Sequence, residues 1–450
     1  MKRTRDDGAP AAPIPIRAEF IKRPCSAAIK SGVQQVALEL IFRGVSYKPD
    51  RYIGERPELP GPLPKSLTSR TLALVAGNAY GVCEKSDGER AMMLLVATPT
   101  ASAHGGPLVP PGAYLIDRTF DAAAIDGGVA YAAVMAAGGA TLLEGELLLR
   151  GDDAGTGTGA RAVFNMFDCI AAAGADVAAR PLKERLEALR KTAREPYLSL
   201  ERARAAAGEA APPLYMIGKT ILRSCDVKSV LDKISAPVHA VEDDEMGDVP
   251  APLESVVGGA AATRTYRGDA LRINGTDGLV FTPSDVSYRD LAKLGSAAPL
   301  PLLKWKFTEE NTVDFRVNLD DLDRAAMGRV AVGGGGAAAR PVPLFVSTGR
   351  EERDVCELEI TPKGAAAYAA LAQRLHKDSL IIECAFVPAR SAWVARRVRD
   401  KKTRANHIKT AWNTLEALVE NISEAELVRV LGKGGGAGIA AGGGGAGAKT

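Results

Sequence analysis

Short apolar runs of strand length, bounded by Gly, Pro, Asp and Ser, recur through most of the chain. The runs at 79–84, 91–98, 112–117, 141–150, 162–171, 278–283 and 300–307 predict strands, and a second series follows at 344–347, 355–360, 380–387 and 392–398. Helical periodicity is confined to two stretches. In 181–194 Leu182, Leu186 and Leu189 share one face, and in 406–430 Trp412, Leu415, Leu418, Val419 and Ile422 form a stripe. Strand runs outnumber helical ones and rarely alternate with them, which predicts an α+β protein of antiparallel sheets with flanking helices. No repeat period is visible.

Ala/Gly/Pro-rich stretches at 98–112, 151–159, 203–213, 250–262 and 332–343 separate these elements and read as surface loops, because such composition cannot bury enough side chain to order itself. The first 26 residues and the tail 432–450 read as flexible. A chain of 450 residues exceeds one typical domain of roughly 100 to 200 residues, so two packed domains are expected.

Charge excludes little. Lys plus Arg number 57 against 54 Asp plus Glu, a net +3, so nucleic-acid contact would need a local basic patch. Six cysteines without a C-x-x-C pair carry neither a zinc pattern nor a disulfide framework. The N-terminus has basic residues with no apolar stretch behind them, and the longest apolar run, 127–143, is shorter than the roughly 20 residues that span a bilayer. The chain reads as a soluble intracellular protein without membrane association.

The candidate chemistry is spread along the chain. Glu84-Lys85-Ser86-Asp87-Gly88-Glu89-Arg90 places a lysine at a strand end beside a glycine turn, where it can project into a cleft. Taken alone that is a commonplace turn. Carboxylates follow at strand edges in Glu144-Gly145-Glu146, Phe167-Asp168 and Asp277-Gly278. In Leu303-Lys304-Trp305-Lys306, period-two alternation sets both lysines on one face. A basic cluster, Arg396-Arg397-Val398-Arg399-Asp400-Lys401-Lys402, comes last.

Lysine first, carboxylates next, paired lysines and basic cluster last: in this order the series resembles the covalent nucleotidyltransferases, that is DNA ligases, RNA ligases and mRNA capping enzymes. Further pieces resemble the capping branch. They are Leu59-Pro60-Gly61-Pro62-Leu63-Pro64-Lys65-Ser66, Leu115-Ile116-Asp117-Arg118, and Trp305-Lys306 followed by Asn311-Thr312-Val313-Asp314-Phe315. Three positions depart from the family's pattern: Glu144 replaces an aspartate, Leu63 a glutamine, and Lys401 stands where the basic motif has aspartate, leaving Asp400 as a substitute.

The resemblance implies a nucleotidyltransferase domain at 27–312, an OB-fold at 313–405, and a helix at 406–431 packing back on the first domain. It implies GMP transfer from GTP through Lys85 to the 5′-diphosphate end of RNA. Lys304 and Lys306 would donate to the α-phosphate, Arg90 and Arg118 would contact the ribose, and Phe167 would stack on the base. Glu146 and Asp277, hard oxygen donors, suit Mg²⁺ or Mn²⁺. Arg397, Arg399 and Lys402, with Asp400, would grip the β- and γ-phosphates. Lys219 would select guanine, whose position 6 presents an acceptor where adenine has a donor.

An unperturbed lysine, with a pKa of about 10.4, carries only about 0.04 % neutral amine at pH 7. Cations near Lys85 must lower that value. One unit charge ~5 Å away at an effective dielectric of ~20 contributes about 3 kcal/mol, roughly 2 pKa units. Two other functions fit parts of the pattern, an ATP-dependent polynucleotide ligase and a non-catalytic RNA- or polymerase-binding module. With about 55 residues before Leu59 and little after Leu431, the RNA triphosphatase and cap methyltransferase are expected on separate chains. RNA polymerase is a further implied partner, and the setting implied is a eukaryotic nucleus or the virion or factory of a large DNA virus.

Overall fold

The computed structural model describes residues 21–432 apart from 49, 54–58, 104, 151–160, 210–213, 236–263, 269–272, 295–297, 328–340, 388–389 and 400–401. Asp400, Lys401, residues 1–20 and most of the tail therefore lie outside the described residues, as do the central parts of the expected loops at 151–159, 250–262 and 332–343.

Two sheets and a barrel carry the chain. Among the described residues the first sheet has eight strands. In spatial order they are Lys22–Pro24, Ala122–Ile125, Gly112–Ile116, Glu89–Val96, Thr141–Arg150, Arg161–Ala172 and Leu214–Gly218, with Ala175–Asp176 pairing onto Arg161–Ala172. The second sheet runs Leu222–Arg223, Tyr80–Ser86, Ile273–Pro283, Leu303–Lys306 and Lys65–Ser66, with Arg264–Arg267 added on Ile273–Pro283. Among the described residues, pairing within these two sheets is antiparallel except where Leu214–Gly218 joins Arg161–Ala172 and Lys65–Ser66 joins Leu303–Lys306.

The strand Glu89–Val96 explains why the pattern reads as an unbroken apolar run. Met93 and Leu95 enter one core with Leu115, Leu143 and Phe164. Met92, Leu94 and Val96 enter another, against Val33, Val36 and Leu40 of the helix Ala27–Ile41. A sheet covered on both faces has no polar side to alternate with. That covering helix was not legible from periodicity. It begins at Ser26, whose Oγ accepts the Ile29 amide at 3.3 Å.

Two helical expectations need correction. The helix opening at Leu182 does not stop at 194. It passes through a π-turn, Arg190–Arg194, into Glu195–Ala206, so 203–206 is helix where a loop was expected. The single helix expected over 406–430 is two, Ile408–Glu420 and Glu424–Leu431. Asn421 ends the first in the left-handed conformation (φ 42°), and Ser423 caps the second by accepting the Glu426 amide at 3.2 Å. The break divides the apolar stripe. Ala411 and Leu418 join the barrel core, and Ile422, Leu427 and Leu431 join the core beneath the second sheet. Trp412 and Val419 stay outside, 62 % and 84 % exposed.

The barrel closes over Thr312–Asn318, Val342–Ser347, Glu352–Glu359, Ala392–Val398 and Ser379–Val387 in that spatial order, with the last pairing back on the first. Counted along the chain the order is one, two, three, five, four, and the helix Pro362–Arg374 lies between strands three and four. Five strands closed in this way are the form expected of an OB-fold. Phe315 and Trp393 meet edge to face at 5.0 Å in its core.

Candidate active site

Lys85 stands near the end of Tyr80–Ser86, and the tight turn after it carries the chain from the second sheet into the first. Gly88 makes that passage, but not by opening the backbone to a ligand. A Cβ there would lie 2.6 Å from Leu148 Cδ2 and 2.7 Å from Glu146 Cγ, so the glycine allows the turn to press against the strand Thr141–Arg150.

Opposite Lys85 the ladder is irregular. Ser86 pairs with Thr276 and Lys85 with Gly278, leaving Asp277 as the extra residue of a β-bulge. A bulge re-aims the side chain it carries. Here it turns the Asp277 carboxylate onto Lys85, whose Nζ lies 2.9 Å from Oδ1 and 3.0 Å from Oδ2. Lys306, paired with Gly278 across the next ladder, reaches Asp277 Oδ2 at 2.7 Å. Burial alone would raise the proton affinity of Asp277, but Lys306 and Lys85 outweigh it and hold the carboxyl below its ordinary value. Lys304 shares the face of Lys306 without a carboxylate of its own. Burial, then repulsion from Lys306 and Lys85, pushes its ammonium down to about 8. Lys304 is thus where the crowding of cations shows.

The far end of the cleft holds Lys219, Phe167, Glu146 and Arg90. Lys219 is nearly enclosed. Its Nζ donates to the Glu84 carbonyl at 3.1 Å, lies 3.5 Å from Glu84 Oε1 and stands 5.6 Å from the centroid of the Phe167 ring. Burial raises the proton affinity of Glu146, Asp277 adds to it, and Lys219, Lys85 and Arg90 oppose. Arg90 is gripped by Glu144 through Nε and Nη2. The structure gives Glu144 to Arg90, because Arg90 pairs directly across the ladder from Glu146 and leans over the neighbouring carboxylate. Asp168 faces away from Phe167 and forms a bidentate pair with the fully buried Arg185, at 2.8 and 3.0 Å.

Lys85, Ser86, Arg90, Glu144, Glu146, Phe167 and Lys219 line one cavity of about 190 Å³ between the sheets. Arg118 does not join them. It is exposed at the end of its strand, and its carbonyl accepts the Leu59 amide at 3.2 Å. A larger concavity, about 950 Å³, lies on the barrel against Asp354, Glu357, Glu359 and Trp393. Its acidic rim would repel a polyphosphate, and it lies away from the lysines.

The basic cluster sits on the barrel. Arg397 Nε and Arg399 Nη1 both donate to Glu383 Oε2 at 2.6 Å, and Lys402 pairs with Asp314. Burial would raise Glu383, but Arg397, Thr312 and Arg399 hold it down to about 2. Asp87, two residues after Lys85, is among the charges that raise the proton affinity of Arg397. Glu383 and Glu84 were not singled out in the sequence. Glu84, adjacent to Lys85, carried a usable signal: a carboxylate inside an apolar strand requires a buried partner.

Among the described residues no three His, Cys, Asp or Glu side chains converge to hold a metal ion, and no helix is long and apolar enough to cross a membrane. Glu146 and Asp277 remain as carboxylate donors. Asp277 Oδ1 is buried and receives no well-aligned hydrogen bond, although Lys85 is near.

Two family descriptions match the chain: the catalytic domain of mRNA capping enzymes over residues 31–246, and their C-terminal domain over 310–428. Curated relatives agree. The mRNA-capping enzyme subunit alpha of Schizosaccharomyces pombe is 25 % identical over 394 residues, covering 84 % of this chain and 81 % of that protein. Those of Eremothecium gossypii and Saccharomyces cerevisiae are each 25 % identical, covering 78 % of this chain and 73 % and 74 % of theirs. With both matches in chain order, one over most of the first sheet and the early strands of the second, the other over the barrel, this chain belongs to the mRNA capping enzyme family.

Proposed function

We propose that this chain is an mRNA guanylyltransferase that takes GMP from GTP onto Lys85 and passes it to the 5′-diphosphate end of RNA, forming the GpppN cap. The observation that carries the reading is the cluster at the bulge: Lys85 and Lys306 share Asp277 at 2.7 to 3.0 Å, and Lys304 lies beside them with its proton loosened. In the first step Lys85 Nζ bonds to the α-phosphorus, the bond to pyrophosphate breaks, and Asp277 is the nearest acceptor for the ammonium proton. Lys304 and Lys306 stabilise charge on the α-phosphate oxygens. In the second step an oxygen of the RNA diphosphate displaces the lysine nitrogen.

Phe167 stacks on the base, Lys219 donates to the guanine O6, and Arg90, held by Glu144, faces the ribose. Arg118 contacts the ribose only if its exposed strand end closes over the site. Arg397, Arg399 and Lys402 orient the departing pyrophosphate, which requires the triphosphate to compete with Glu383 and Asp314. We assign the two-sheet domain to 27–312, joined by the strand Lys22–Pro24 and the helix Glu424–Leu431, and the barrel to 313–405. The helix Ile408–Glu420 packs against the barrel instead of folding back on the first domain. The barrel closes for the first step and opens to admit RNA.

A Mg²⁺ or Mn²⁺ ion suits Glu146 and Asp277, which offer only two carboxylates. Mg²⁺ commonly takes one or two, with phosphate and water completing its shell. Such an ion would add positive charge at the α-phosphate. The relatives named "subunit alpha" carry a partner in their name. For this chain we place the RNA triphosphatase and the methyltransferase on other polypeptides, and the work in a nucleus or a viral equivalent.

The test is incubation with labelled GTP or ATP and divalent metal, followed by a denaturing gel. A labelled GMP adduct is expected. An AMP adduct would make the chain a ligase, and no adduct with either nucleotide would make it a binding module.

A further inference from the structure

Behind the nucleophile strand lies a polar group that the reaction scheme leaves unused. Glu84, Asn165 and Asn274 are 2 %, 1 % and 7 % exposed, and all three gather on Ser86. Ser86 Oγ donates to Glu84 Oε1 at 3.1 Å and accepts from Asn274 Nδ2 at 3.2 Å, while Asn165 Nδ2 reaches Glu84 Oε1 and Ser86 Oγ, each at 3.4 Å. A carboxylate placed this deep in an apolar setting is costly unless it serves a cation. Its cation is Lys219, which Glu84 holds twice, through its carbonyl at 3.1 Å and through Oε1 at 3.5 Å.

We propose that Glu84 is a positioning residue that sets the preference for guanine, acting through Lys219. The inference rests on the guanylyltransferase reading. Guanine offers an acceptor at position 6 where adenine offers an amino donor, so the discriminating group must be a donor that cannot turn into an acceptor. An ammonium meets that condition and a neutral amine does not. Burial favours the neutral amine for Lys219. Glu84, with Glu146, reverses that preference and raises its proton affinity. Glu84 also fixes direction. Lys219 has three N–H donors; one goes to the Glu84 carbonyl while the carboxylate attracts the ammonium at 3.5 Å, which leaves a donor for a base stacked on Phe167, whose ring centroid lies 5.6 Å from Nζ. The Glu84 carbonyl belongs to the peptide unit that leads into Lys85, so the group that reads the base hangs from the backbone that carries the nucleophile.

The experiment is the ratio of adduct formation rates with GTP and with ATP, measured for the whole chain, for E84Q, for Lys219→Met and for the double variant, with melting temperature as a folding check. The ratio is expected to fall roughly tenfold or more in E84Q, the scale of one hydrogen bond to a charged group. It should fall no further when E84Q is added to Lys219→Met, because the two act as one unit. An unchanged ratio in E84Q, or additive falls in the double variant, would overturn the proposal. If E84Q does not fold, Ser86→Ala takes its place: a severalfold fall supports the assignment and an unchanged ratio overturns it. Absence of any adduct from the unaltered chain would instead defeat the guanylyltransferase reading, so the two failures are distinguishable.

Discussion

The lysine cluster in the cleft and the arginine cluster on the barrel hold similar cations in different electrical states. In the cleft Lys85 and Lys306 share one carboxylate, Asp277, and Lys304 beside them is pushed down to about 8 by burial first and then by the two neighbouring cations. On the barrel Arg397, Arg399 and Lys402 have two, Glu383 and Asp314, and Glu383 is held down to about 2. The cleft has unspent positive charge in a half-buried setting, where an incoming phosphate gains most. The barrel's charge is more nearly neutralised, three cations on two carboxylates, so a phosphate must displace or share those carboxylates to use most of it. On the proposed function the cleft would serve the chemical step, and the barrel would contribute only when brought to the nucleotide.

The strongest way to break this contrast is Lys85→Ala. It should abolish the labelled adduct while the melting transition survives, since the side chain is partly exposed and carries no core packing. An adduct persisting in this variant would remove the nucleophile assignment outright. Lys306→Ala is expected to slow adduct formation on the order of 10² to 10³-fold, as removal of a preorganised donor does, read by quenched-flow gel assay at saturating GTP. Arg397→Ala should slow the first step by a smaller factor and leave transfer of GMP from a preformed adduct to RNA unaffected. Equal losses in both steps would mean that the barrel's cations are not confined to the first.

The pH dependence sharpens the comparison further. A phosphate favours the charged form of Lys304, so nucleotide binding should take up a proton where the free group has lost it. GTP affinity is expected to hold steady below pH about 8 and weaken above it by up to about tenfold per pH unit. Lys304→Arg should flatten that slope, because arginine stays charged. Calorimetry in buffers of different ionisation heat checks the proton count. The smallest effect concerns the connection between the regions. Asn421, left-handed at φ 42°, links the helix on the barrel to the helix on the second sheet. Asn421→Ala should cost about 1 kcal/mol in chemical denaturation, without changing the adduct rate.

Much of this site was legible as a list. The strands, the shared face of Lys304 and Lys306, and the family motifs could all be read along the chain, because strand alternation and turn chemistry are local properties. What could not be read was pairing. Nothing local reveals that Asp277 is the extra residue of a bulge, that Glu144 grips Arg90, or that Arg118 stays outside the cavity. The helix Ala27–Ile41 was missed because its glycine, serine and paired glutamines weaken the periodic signal that burial against the first sheet supplies. The helix expected over 406–430 was misjudged because its stripe serves two different cores on either side of Asn421.

By itself the sequence determined the order of the chemical groups, the strand-rich α+β class and the family, since these depend on residue identity and short-range period. Only the tertiary structure decided which charges neutralise one another. Electrostatic state depends on separation and burial across sheets, and Lys85 meets Asp277 from 192 residues away along the chain.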